Sequence, residues 1–311
     1  MANPTLLDIA KRNGADAVAG VIEESVEANP EIQAIPARTI SGTSYQCLIR
    51  VSPPTVGFRK ANEGATAVIS SWKNSLVETF IMDAPTEVDK AVADASEDGP
   101  DAFISDQAVG VLEGAFRAAA SQMYYGTAST FASSQAGTAS DGYPGLQSTV
   151  NSDFVVDATG TTSSTGSSVW ILKTGPQYIQ WVIGRDGEMN TGDVQEVRLT
   201  DSSSKPYDGF RVPFLAYLGI QLVNKNSAVQ IKNLTEDAGK GLTDDLIAQA
   251  MEKFPSGANP DCIFMTKRSQ RQLRVSRTAT TTTGAYQIQP TEFDGIPIYP
   301  TDAIVDTETI V

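Results

Sequence analysis

Residues 99–126 read GPDAFISDQAVGVLEGAFRAAASQMYYG, and this stretch decides the architecture. Ile104, Ala108, Val111, Leu112, Ala115, Phe116, Ala119 and Met123 recur every three or four positions, tracing one apolar stripe down a helix from Asp101 to Tyr125. Pro100 suits the first turn, where its missing N–H is no loss, and Gly126 suits the exit. About 25 residues at a rise of about 1.5 Å make a rod roughly 38 Å long. A rod of that length is a spine on which other elements are laid.

Upstream, Tyr45-Gln46-Cys47-Leu48-Ile49-Arg50-Val51 mostly alternates as a strand and stops at Pro53-Pro54. A tip follows at Gly57-Phe58-Arg59-Lys60-Ala61-Asn62-Glu63-Gly64, and a second extended run covers Ala67 to Met82. Together they predict a long hairpin. Two strands alone are marginal in water, so the hairpin must lie on something, either the chain's own core or a neighbouring subunit. Further out, Thr5-Leu6-Leu7-Asp8 has the pattern of a capping box, and Leu6, Ala10, Ala17, Val21 and Ile22 keep roughly helical spacing up to Asn29-Pro30. Gly14 and Gly20 weaken that helix and make it a candidate to order only when docked.

Downstream, residues 127–145 are rich in Gly, Ala, Ser and Thr and predict a linker or mobile loop. Strand signals follow at Phe154–Val156, Ser168–Leu172, Tyr178–Ile183, Phe214–Val223 and Ala228–Ile231. Thr243-Asp244-Asp245 caps a helix whose apolar face carries Leu246, Ile247, Ala250, Met251 and Phe254. Then come a short apolar strand at Cys262–Met265, a basic helix from Thr266 to Arg277 and a closing Phe293-Asp294-Gly295-Ile296-Pro297 turn. The class is α+β.

Composition excludes more than it suggests. Histidine is absent, which removes Ser-His-Asp and Cys-His nucleophiles and His-ligated metals. Cys47 and Cys262 offer no CxxC spacing and predict two buried free thiols. Asp94-Ala95-Ser96-Glu97-Asp98-Gly99 imitates a calcium loop, but Ser105 stands where a bidentate Glu is needed. No run of about 18 apolar residues occurs and the start has no signal-peptide pattern, so no membrane span is expected. The net charge of −14 argues against nucleic-acid reading. Lys267, Arg268, Arg271, Arg274 and Arg277 recur at helical spacing, as a solvated basic face or as ion-pair partners for acidic surfaces of sister subunits.

The order of these elements resembles the Hong Kong 97-type major capsid protein of tailed phages over nearly the whole chain. The resemblance rests on Ile40 to Met82 with the tip Phe58–Gly64, on Asp261–Met265 with Lys267–Leu273, and on Phe293–Pro297. It implies an N-terminal arm at 1–38, an extended loop at 39–84 and a peripheral domain with its spine helix at 85–139. An axial domain would take 140–285, and a C-terminal segment at 286–311 would rejoin the peripheral domain. It implies a self-assembling shell subunit around double-stranded DNA, not an enzyme, with no cofactor and no membrane partner. Copies of itself are the partner, joined by portal and decoration proteins and by a separate scaffolding protein, since the arm is short for a built-in scaffold. The product is a virion assembled in the host cytoplasm. Subunit-contact candidates are Leu6 and Leu7 in the arm, Phe58, Arg59, Lys60, Glu63 and Trp72 in the loop, and Lys267, Arg268, Arg271 and Arg274. Lys60 is also a candidate cross-link donor, against the plainer reading of a solvated lysine. An encapsulin-like nanocompartment shell and a β-rich virion surface protein stand as alternatives.

Overall fold

The structure, a computed structural model, describes residues 4–6, 27–127, 142–187, 190–280 and 287–310. Leu7, the rest of the expected arm helix to residue 26, and residues 128–141 of the expected linker lie outside them. Strands in chain order are β1 (Ala37–Thr39), β2 (Ser44–Ser52), β3 (Ser71–Glu78), β4 (Phe80–Asp83), β5 (Thr86–Asp89), β6 (Val155–Asp157), β7 (Ser167–Leu172) and β8 (Gln180–Ile183). They continue as β9 (Asn190–Thr191), β10 (Gln195–Thr200), β11 (Pro206–Val212), β12 (Phe214–Gln221), β13 (Ala228–Leu234), β14 (Cys262–Met265), β15 (Glu292–Phe293) and β16 (Ile296–Pro300).

The spine helix runs Pro100–Tyr125, with Gly99 at φ 87° before it and the Gly126 N–H bonded to Gln122 O behind it. A Cβ on Gly126 would lie 2.3 Å from Tyr143 O, so only glycine lets the following segment pass this close. Tyr143 is buried there and donates to Ala119 O at 2.6 Å. The last residues of the expected linker are therefore anchored to the spine by the Tyr143 ring and by hydrogen bonds from Gln122 Nε2 to Tyr143 O and from Gly145 N to Gly126 O, which composition alone does not reveal.

Two sheets share the core. One has the order β1-β8-β12-β4, with β9 also on β12, and lies against the spine helix through Phe80, Trp181, Ala216 and Phe214. The other has the order β15-β16-β14-β7-β13-β6. Its central strand β7 is buried throughout. Trp170 and Leu172 face Tyr124 at the end of the spine, and Val169 and Ile171 face Ile247, Ala250 and Leu273 of the two C-terminal helices. The first of these helices, Asp244–Glu252, is capped by Thr243, which accepts from Leu246 N. A third sheet, β10-β11-β5, packs on the start of the spine helix through Val88, Phe103 and Phe210. At the β15–β16 turn Asp294 and Gly295 both have positive φ, 48° and 79°, the pair that a two-residue primed turn requires.

Hydrogen bonding cuts across the contiguous blocks drawn from the sequence. Residues 180–221, expected with the axial domain, pair instead with β1, β4 and β5 around the spine helix. The C-terminal strand β16 adds in parallel to β14, while the tail behind it reaches the spine through Tyr125 OH, which accepts from Val305 N. Strand partners lie far apart in sequence, and alternation marks a strand without naming its neighbour. The second arm of the hairpin is also shorter than expected. Pairing begins at Ser71, and at buried Thr79 the chain leaves the hairpin and enters the body as β4. Among the described residues no helix is long and apolar enough to cross a membrane.

Candidate assembly surface

The hairpin β2–β3 is paired from Ser44 with Glu78 out to Ser52 with Ser71. Its pleat separates two faces. Tyr45, Cys47, Ile49, Ser75 and Val77 share one face; Gln46, Leu48, Arg50, Trp72, Asn74 and Leu76 share the other. The first face docks at its base. Tyr45 OH donates to Gln221 Oε1, which also accepts from Gln180 Nε2 at 2.9 Å, and Gln221 Nε2 donates to Pro176 O at 2.9 Å. Arg38 of β1 stacks 4.7 Å over the Tyr45 ring, and Val77 is buried. Thr79 closes the base by donating its N–H and its hydroxyl to Thr43 O.

The base crosses β12 at a glycine. A Cβ on Gly219 would stand 2.3 Å from Glu78 O. Gly219→Val is therefore expected to lift the hairpin off the sheet and to cost about 1–3 kcal/mol, as overpacking does. Chemical denaturation measures the cost, and limited proteolysis of 43–79 shows the lift. An unchanged midpoint would mean that the base is not seated at Gly219.

The second face is exposed to solvent among the described residues. Leu48 is 66% exposed, Leu76 54% and Trp72 50%, with Arg50 4.6 Å over the indole. Beyond Ser52 every residue from Thr55 to Ile69 is exposed, including Val56 and Phe58. The internal bonds of the tip are one from Arg59 to Glu63 O at 2.7 Å and a Glu63 N–H to Lys60 O turn. Apolar side chains held out on an arm mark a contact surface. Residues 44–78 also carry Arg50, Arg59, Lys60 and Lys73 against Glu63 and, at the base, Glu78, so the arm is cationic on a chain of net charge −14. That inversion is legible in the sequence once the hairpin is bounded.

The other candidates fall elsewhere. Leu6 is exposed, 63%, in the small described part of the arm. The basic helix, Lys267–Thr280, does not present one cationic face. Arg268 turns inward, donating to Thr165 O at 2.8 Å and pairing with Asp306 at 3.2 Å. Arg274 donates to Gln287 O, Arg277 holds Asp244 through two nitrogens, Arg271 pairs with Glu236, and Lys267 stands 3.8 Å from Asp302. These side chains tie their own chain together, and Lys267 and Arg271 remain the solvent-facing ones. Both cysteines are free: Cys262 is buried, its thiol pushed up to about 12 chiefly by burial, and Cys47 is half-buried on the docked face, not buried as expected.

A long spine helix between two sheets, with an extended hairpin seated on them only at its base, defines a Hong Kong 97-type shell subunit. The chain belongs to the family of the major capsid protein GP7, whose family model matches residues 13–311, and it is a structural protein of the phage head shell. A chain in the structure of bacteriophage Epsilon15 is similar with a TM-score of 0.71 at 21% identity, covering 99% of this chain and 97% of that one. The capsid of the native GTA particle gives 0.46 at 10% identity, with 75% and 99% covered. The SrpI encapsulin of Synechococcus elongatus gives 0.46 at 8%, with 76% and 97% covered. No curated protein sequence matches.

Proposed function

We propose that this chain builds the icosahedral head by laying its hairpin on a neighbouring copy, Trp72, Leu48 and Phe58 supplying the apolar contact and Arg59 and Lys60 the charge. The observation that carries this is the second face of the hairpin, apolar and open to solvent on an arm whose other face is already seated. Glu63 and the arm residues Leu6 and Leu7 belong to the same seam. Lys267 and Arg271, facing solvent beside their intrachain acids, complete the contact set, while Arg268 and Arg274 act within the chain, on Thr165 O and Asp306 and on Gln287 O. By function 1–38 serves as arm, 39–84 as extended loop, 85–139 with the strands of 180–221 as peripheral domain, the rest of 140–285 as axial domain and 286–311 as tail.

The shell encloses double-stranded DNA without reading it, since an acidic wall repels phosphate. Assembly takes place in the host cytoplasm around a separate scaffolding protein, with portal and decoration proteins added to copies of this chain. It is not an enzyme and uses no cofactor: no acid pair, nucleophile or ligand set is singled out by the sequence. Negative-stain electron microscopy beside size-exclusion chromatography tests the reading. The full chain, alone or with its scaffold, is expected to give shells or capsomer-sized rings. A strict monomer under both conditions at high concentration would overturn it.

A further inference from the structure

The C-terminal end of the spine helix presents two tyrosines in succession, and each holds a carboxyl group brought from a distant part of the chain. Tyr124, fully buried, donates to Glu31 Oε1 at 2.8 Å. Glu31 is itself 0% exposed, and its Oε2 has no hydrogen-bond partner among the described residues. The charged side chain acting on it is Asp302, of its own sign. Its other titratable neighbours are Tyr124 from the spine and Cys262 from β14, and Trp181 of β8 donates to its main-chain carbonyl at 3.2 Å. On the other side, Tyr125 donates to Glu308 Oε1 at 2.6 Å and Ser168 of β7 to Oε2, with Asp306 and the Asp306-paired Arg268 facing it.

These carboxyls sit at the roots of two chain ends. Glu31 opens the short helix Glu31–Ala34, and just before it Ala28 N donates to Asp302 Oδ2 at 2.8 Å while Asp302 N returns a bond to Ala28 O at 3.1 Å. Glu308 bridges Gly166 through paired main-chain bonds. The root of the arm and the C-terminal tail are thus fastened to each other and, through Glu31 and Glu308, to one helix end.

We propose that Glu31–Tyr124 and Glu308–Tyr125 form a proton-operated double latch, closed when the carboxyls are neutral and loosened, at both chain ends together, when they ionise. A carboxylate sealed from water, as Glu31 is, is costly, and protonation removes much of that cost; Glu308 is half-buried with both oxygens accepting hydrogen bonds, so its share of the cost is smaller. Burial is the first cause that lifts both carboxyls above their ordinary value of 4.5, with Thr301, the main chain and Tyr124 pulling back on Glu31 and Ser168, Tyr125 and Arg268 pulling back on Glu308. The sign follows. The closed form keeps protons over a range in which an opened chain has lost them. The latch is fully effective near and below the ordinary value and weakens as pH climbs through the raised one. It is a property of the single chain and does not depend on how shells are built.

Hydrogen exchange on the full chain, corrected for intrinsic rates, tests it at about pH 5.5 and about pH 8. Protection of residues 27–35 and 301–310 is expected to be about tenfold greater at the acid pH, with β7 and β14 unchanged. The double variant Glu31→Gln with Glu308→Gln, permanently neutral, is expected to keep the greater protection at both. Equal protection of the wild-type segments at the two pH values would overturn the latch. So would a pH dependence that survives in the glutamine variant, and should that variant not fold, the wild-type comparison decides alone.

Discussion

A chain lacking Thr55–Ala67 is expected to fold, to stay soluble and to form no shells. The deleted residues are all exposed, and the hydrogen bonds that Arg59, Lys60 and Glu63 make there stay within the tip. What remains between Ser52 and Ser71 is Pro53, Pro54, Val68, Ile69 and Ser70, a loop length that ordinary hairpins use. The base is untouched, with Tyr45 on Gln221 and Thr79 on Thr43. Shortening a loop also slightly lowers the entropy lost on closing it. Subunit stability should therefore change by no more than about 0.5 kcal/mol, as at surface positions generally. Assembly should lose Val56, Phe58, Arg59 and Lys60 at every copy at once, and a closed shell repeats each contact many times. A thermal melt and electron micrographs of one preparation give both readings. Shells of normal size from this variant would refute the role given to the tip.

The sequence makes the spine helix, the capped helix behind Thr243 and the basic helix legible because their signals are local: a stripe at helical spacing and a stop on either side. The hairpin is legible as a hairpin, but not in which face is spent. Tyr45 and Leu48 alternate as any two strand residues do, and it is Gln221, 176 positions from Tyr45, that settles the docked side. Arg268 shows the same limit. Helical spacing places it with Lys267 and Arg271, yet the carbonyls of Thr165 and Leu234 draw its guanidinium inward. Glu31 is the hardest case, an acid beside a proline that reads as surface and is sealed by a tyrosine 93 residues away. Long-range pairing decides each of these, and neither composition nor periodicity encodes it.

Two tryptophans separate fold from assembly. Trp170 lies on β7 between Gln230 and Phe264, 1% exposed, with its ring centre 6.1 Å from that of Tyr124. Trp170→Ala is expected to cost about 3–5 kcal/mol, the range for emptying a large aromatic site that neighbouring strands cannot refill. One feature moderates the figure. The indole N–H of Trp170 has no hydrogen-bond partner among the described residues, so its desolvation already costs the native state about 1–3 kcal/mol. Trp170→Phe removes that donor while keeping a ring against Tyr124, and should cost under about 1.5 kcal/mol although it leaves a smaller side chain. Trp72, 50% exposed, gives up its contact with Arg50, and Trp72→Ala should cost the isolated subunit no more than about 1 kcal/mol. Its effect belongs to the seam, where a large aromatic that fills a neighbour's surface commonly carries about 2 kcal/mol or more. Denaturant titration of the subunit and shell yield should therefore rank the variants in opposite orders per kcal/mol of folding stability lost. If Trp72→Ala destabilised the isolated subunit as much as Trp170→Ala, the open face of the hairpin would be part of the chain's own core, and the neighbour would have to be reached by other residues.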